Sequence, residues 1–173
     1  MTAVTDAWIG QAPAPPAGRE VDAEPRPGGA PARILALSLT VTGSPKPKGS
    51  LKHVGNGRLV DQVKGTMKWG NKVAADAKET WGRAAPLDEP VIVELVVTVA
   101  ALKTPSRWPS TRSSSDLDKH QRNVGDALTS AGVLKDDSRI IRWEAEKTYP
   151  GHHPDALDRP GAVIRIWTIG HSS

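Results

Sequence analysis

Four aspartates flank one short predicted helix: Asp116 and Asp118 at its start, Asp136 and Asp137 just past its end. A carboxylate at a helix start is ordinarily a cap, accepting from orphan backbone N–H groups and favouring the positive end of the macrodipole. Either acid pair alone reads that way. Together they gather four like charges around one helix in a basic body, and such a group needs a cation or basic side chains to offset it. Asp116 lies at or just before the first turn, Asp118 inside it, and Asp137 at the start of the strand that follows. If that strand returns alongside the helix start, Asp116, Asp118 and Asp137 converge from separate backbone elements. Oxygen ligands of this kind suit a hard divalent cation such as Mg²⁺, which keeps several of its waters. A cation held there can bind a phosphodiester, lower the pKa of a bound water and stabilise the leaving oxygen.

The elements that must position these acids can be read from hydrophobic period. Leu35, Leu37, Leu39 and Val41 alternate with small and polar residues, which predicts a first strand from Arg33 to Gly43. Residues 45–57 read as a rigid basic turn and then a loop. Over residues 64–82, Met67, Val73, Ala74, Ala77 and Trp81 recur at helical spacing, and Gly82 stops that helix. Val91, Val93, Leu95, Val97 and Val99 predict a second strand. A second helix runs from about Leu117 to Ala131 on a stripe of Leu117, Val124, Leu128 and Ala131, with Gly132 as its left-handed cap. Ile141, Trp143 and Ala145 alternate with Arg142, Glu144 and Glu146 in a third strand, and Ile164, Ile166 and Trp167 mark a fourth. The order strand-helix-strand-helix-strand-strand predicts an α/β fold, a mixed sheet covered by two helices in one compact domain. That domain spans 32–170. Residues 1–31 hold six of the fifteen prolines and few large apolar side chains, which predicts a disordered tail.

At 173 residues the chain can bury one real core. It has no cysteine, which excludes disulfides, Cys-based zinc sites and a thiol nucleophile. The first residues lack the basic and apolar regions of a secretory signal. The longest apolar stretch, Val91 to Leu102, is interrupted by Glu94 and Thr98 and is too short to cross a bilayer. A cytoplasmic protein without a membrane partner is expected. The net charge of +4 is uneven: beyond residue 30, 21 Lys and Arg face 15 Asp and Glu. A basic body favours a polyanionic partner, since Lys and Arg that meet phosphates release condensed counterions. Gly43 to Ser50 lacks the Gly-Lys-Ser/Thr ending of a P-loop. Asp126, four residues after Arg122, is expected to form an intrahelical ion pair with it. His152-His153 lacks a third spaced metal ligand. Trp108, beside Arg107, could stack on an unpaired base.

The run Asp116-Leu-Asp118-Lys-His-Gln-Arg122-Asn-Val-Gly-Asp126-Ala-Leu-Thr-Ser-Ala-Gly132-Val-Leu-Lys-Asp136-Asp137 resembles the signature of the RusA family of Holliday junction resolvases. The pattern is a DLD-type start, a basic residue four positions later, a D-A-L helical turn, a Gly and a closing D-D. It covers about twenty residues closely, and the flanking strands, with Lys147 at the end of the third, extend it loosely over 33–169. The resemblance implies a homodimeric, Mg²⁺-dependent endonuclease, with Mn²⁺ as a substitute ion. Such an enzyme places paired symmetric nicks in four-way DNA junctions, in recombination and repair. It implies metal-binding and catalytic roles for Asp116, Asp118 and Asp137, with Asp136 their neighbour in the metal group. A lysine commonly occupies the position of Arg122, so Arg122 or Lys119 would supply the cation near the phosphate. Arginine clamps phosphate but is a poor proton donor. DNA contacts are expected from Lys46, Lys48, Lys52 and Arg58 in the basic loop, from Arg107 and Arg112 before the acids, and from Lys147. Two other readings stay open: a nuclease for other branched or packaged DNA, and a non-catalytic DNA-binding module whose acids are caps and ion pairs.

Overall fold

The structure, a computed structural model, describes residues 32–48, 51–53, 59–61, 65–102, 106–111 and 114–170, with backbone alone at 51–53 and 59–61. The predicted tail at 1–31 lies outside the described residues. Among the described residues, six strands and two α-helices follow one another as β1 (Arg33–Thr42), β2 (Leu51–His53), β3 (Leu59–Asp61), α1 (Thr66–Trp81), β4 (Val91–Thr98), α2 (Leu117–Ser130), β5 (Ile140–Thr148) and β6 (Gly161–Ile169). The order predicted from periodicity is present. The addition is the small β2–β3 hairpin, antiparallel from Leu51 opposite Asp61 to His53 opposite Leu59, where a loop was expected.

The main sheet has the order β1-β6-β4-β5. β6 runs antiparallel to both β1 and β4, whereas β4 and β5 are parallel, so the sheet is mixed. A parallel pair needs a crossover, and α2 supplies it. Val91, Val93, Leu95 and Val97 of β4 and Ala162, Ile164 and Ile166 of β6 share one core with Trp69, Val73 and Ala77 of α1 and Val124, Ala127 and Leu128 of α2. Both helices therefore cover the same face of the sheet. Each Val, Leu or Ile buried there contributes about 1.5–3 kcal/mol. On the other face Arg165 bridges Glu94 (2.8 Å) and Asp155 (2.5 Å), and the Trp167 indole N–H donates to Glu94 at 3.2 Å.

Three predicted inward residues point elsewhere, each for a visible reason. In β1 the pairing with β6 skips Ala36, and Leu35, on the far side of that irregularity, is 48% exposed while Leu37, Leu39 and Val41 are buried. In β5, Val91 pairs with Ile140 and Ile92 with Arg142, leaving Ile141 as the extra residue of a bulge. Ile141 is exposed, and Ile140 packs on the core in its place. In α1, Met67 is exposed and Trp69 fills the stripe with Val73 and Ala77.

The end of α2 is a Schellman cap. The Val133 N–H bonds the Leu128 carbonyl at 3.1 Å and the Gly132 N–H bonds Thr129 at 3.0 Å, with Gly132 at φ 75°. This reversal leads into a 3₁₀ turn at Asp137–Arg139 and then β5.

Candidate active site

Because β5 is parallel to β4, it runs opposite to α2. Its last residues, not its first, meet the helix start: the Lys147 ammonium donates to the Ser115 carbonyl, immediately before Asp116. Asp137 instead sits along the helix, beside Gly125. A methyl group added at Gly125 would lie 3.6 Å from the Asp137 Cβ and 3.7 Å from Ile140 and Trp143. Glycine in mid-helix costs about 1 kcal/mol relative to alanine. Here the 3₁₀ turn and β5 lie against it at distances that would be ordinary van der Waals contact for a Cβ, so the packing itself does not demand the glycine.

Asp118 and Asp137 nonetheless face one depression of about 220 Å³, whose walls include Gln121, Arg122, Gly125 and Trp143. Asp118, Gln121, Arg122 and Gly125 are spaced at three, four and seven residues, so they share one face of α2. Both carboxylates are exposed, and among the described residues neither closes an ion pair or side-chain hydrogen bond. Arg122 shares the depression without pairing with either.

Asp116 has a different setting. It occupies the N-cap position in an extended conformation (φ −81°, ψ 138°), yet its side chain makes no capping bond. It pairs with Lys119 at 2.7 Å. That hydrogen bond holds the Asp116 carboxyl below its usual range and pushes the Lys119 ammonium up. Asp136 is the acid that caps: it accepts from the Ser138 N–H at 2.9 Å, and hydrogen bonding from Ser138 lowers its pKa. Among the described residues no three acidic or imidazole groups stand close enough to hold a metal ion together. The four predicted acids thus separate into Asp118 and Asp137 on one depression, Asp116 on Lys119, and Asp136 on backbone. Of the two candidate cations, Arg122 accompanies the acid pair.

The predicted DNA contacts among the described residues have different settings. The loop after β1 is clamped to α2: the Lys48 N–H donates to the Lys119 carbonyl at 3.0 Å, and Asn123 donates to the Lys46 carbonyl at 2.7 Å. The Lys48 ammonium pairs with Asp126, so the expected Asp126–Arg122 pair is replaced by one between elements. Lys46 is half-buried. The Arg107 guanidinium lies 5.4 Å from the centre of the Trp108 ring, a cation–π pair on an exposed loop. The Lys52 side chain, Arg58 and Arg112 lie outside the described residues. His153 accepts from the Asp155 N–H, and His152 packs edge-on against Tyr149.

Sequence reasoning missed Gln121, Gly125 and Trp143 as neighbours of the acids. The first two were signalled by their helical spacing from Asp118. Trp143 was not, because its place depends on the β5 bulge. His120 also went unremarked. It is 2% exposed, and neither ring nitrogen has a hydrogen-bond partner among the described residues. Burial, and then the charge of Lys147, push its imidazole down to about 4.

Two carboxylates without an ion-pair or side-chain hydrogen-bond partner among the described residues, beside a guanidinium, can attract a hard cation and a phosphate oxygen to one place. A family model described as endodeoxyribonuclease RusA matches residues 41–166 of the chain. No curated protein matches it.

Proposed function

The chain belongs to the RusA family of endodeoxyribonucleases, which resolve Holliday junctions, and from that premise we propose that it cuts four-way DNA with Mg²⁺ held by Asp118 and Asp137. The observation that carries this reading is the pair itself, two exposed carboxylates on one depression with Arg122 beside them. The donor set fits the ion: Mg²⁺ is commonly bound through one or two carboxylates and keeps waters or substrate phosphate oxygens in its other positions. When bound, it supplies Lewis acidity toward the phosphate and an acidified water as nucleophile. The remaining contributions belong to the side chains. Arg122 orients a phosphate oxygen with its planar guanidinium. Lys119 pairs with Asp116 at the helix start and offsets its charge, which leaves Asp118 and Asp137 as the negative end of the site. Asp136 shapes the turn that presents Asp137. Mn²⁺, with the same preference for oxygen ligands, substitutes in this reading.

A symmetric dimer would match a two-fold junction and coordinate two nicks, so the working unit in this proposal is a homodimer acting in recombination and repair in the cytoplasm. No helix among the described residues is long and apolar enough to cross a membrane. The distinguishing experiment is a cleavage panel of four-way junction, fork, flap and linear duplex in Mg²⁺, with calorimetry of Mg²⁺ on the free protein. Preferred cutting of the junction, and metal binding lost in Asp118→Asn, support the proposal. Equal cutting of forks and flaps assigns the same chemistry to branched DNA in general. DNA binding without metal binding or cleavage would return these acids to a structural role.

A further inference from the structure

Lys147 was expected to contact DNA, yet its ammonium points into the protein. It is half-buried near the end of β5, opposite Val97 of β4. It donates to the Ser115 carbonyl and, at 3.3 Å, to the Ser114 hydroxyl oxygen. Ser114 is itself buried, and its hydroxyl approaches the carbonyls of Pro109 and Thr111. Ser115 is the one non-glycine residue with positive φ among the described residues, at 64°. A side chain in that left-handed region is strained and persists only where its surroundings hold it. The next residue is Asp116, and Asp118 follows within the first turn of α2. The peptide that Lys147 holds is therefore the one from which two of the acids are aimed.

We propose that Lys147 is a positioning residue of the nuclease site: its ammonium holds the left-handed Ser115, and through it the start of α2 and the placement of Asp116 and Asp118. This rests on the proposed function, in which Asp118 and Asp137 hold the cation and Asp116 stands beside Asp118 in its pair with Lys119. An ammonium has three donors, and two of them are directed inward to Ser114 and Ser115. Phosphate contact falls to other basic residues.

The test uses the full chain with Lys147→Met, which keeps the apolar stem, and Lys147→Gln, whose amide can still donate to the Ser115 carbonyl. Junction affinity is measured at several salt concentrations in EDTA, and single-turnover cleavage against Mg²⁺ concentration. For Lys147→Met we expect an unchanged salt slope, a cleavage rate lower by about 10- to 100-fold and a raised Mg²⁺ midpoint, the range found when partners of ligating groups are removed. Lys147→Gln is expected to recover a substantial part of that loss, because a donor and not a charge is what Ser115 needs. If Lys147→Met fails to fold, the comparison of Lys147→Gln with the parent decides: a parental salt slope with a raised Mg²⁺ midpoint supports positioning. A salt slope reduced by about 0.9, the signature of one lost phosphate contact, overturns the proposal in either variant. So does parental cleavage with a parental Mg²⁺ midpoint. A parental chain that cuts no junction overturns the nuclease reading itself, and the Lys147 assignment with it.

Discussion

Asp116 and Asp118 stand two residues apart, yet Lys119 neutralises the first at 2.7 Å while the second faces Asp137 across a shared depression. The same turn of helix carries His120, whose imidazole titrates near 4 where an unfolded chain's titrates near 6.5. Between those values the unfolded chain holds a proton that the folded chain does not. Stability from the neutral, buried ring is therefore complete above about pH 6.5 and falls as pH drops toward 4. The loss is at most roughly 3 kcal/mol. Asp116 and Asp136, whose pKa values are lowered, add their own losses only below about 3.8. Urea midpoints at pH 7 and pH 4.5 check this. The parent is expected to lose markedly more stability between them than His120→Leu, and equal losses would remove His120 as the cause.

At the scale of elements, the caps and clamps make separable contributions. Gly132→Ala places a Cβ at φ 75°, where an L-residue is disfavoured by about 1–2 kcal/mol. An unfolding free energy lower by that amount in urea titration, with parental junction cleavage, is expected, because Gly132 is not part of the depression. Asn123→Ala leaves the Lys46 carbonyl without its donor and should cost about 1–3 kcal/mol. It should also weaken junction binding by freeing the loop that carries Lys46 and Lys48, which an electrophoretic shift would record. These elements were largely legible in the sequence. The second helix, its glycine cap and the alternation of β4 follow from local spacing alone. What was not legible is long-range. The bulge that exposes Ile141 depends on how β5 pairs with β4. The partner of Asp126 proved to be Lys48, from a loop 78 residues earlier. The predicted convergence of three acids assumed that the start of the following strand meets the helix start. A parallel β4–β5 pair reverses that geometry, bringing Lys147 to Asp116 and leaving Asp137 to reach Asp118 across Gly125. Asp118 and Asp137 were nameable from residue type and spacing. Their separation from Asp116 and Asp136 depends on side-chain partners that spacing does not encode.

For the whole molecule, the proposed function divides the work between a basic body and a depression on one helix face: distributed cations would hold the DNA, and the carboxylate pair would address one phosphate. Junction affinity should fall steeply with salt, as it does when several phosphates are neutralised, while Asp118→Asn leaves that slope unchanged. Sedimentation of the free protein is expected to give twice the chain mass, in keeping with a two-fold substrate. The most direct test of the central claim is cleavage of a synthetic four-way junction, with and without Mg²⁺, by the parent and by Asp137→Asn. The expected result is paired nicking by the parent only when Mg²⁺ is present, and binding without nicking by the variant. Nicking by Asp137→Asn at the parental rate would contradict the assignment of this carboxylate pair as the catalytic centre.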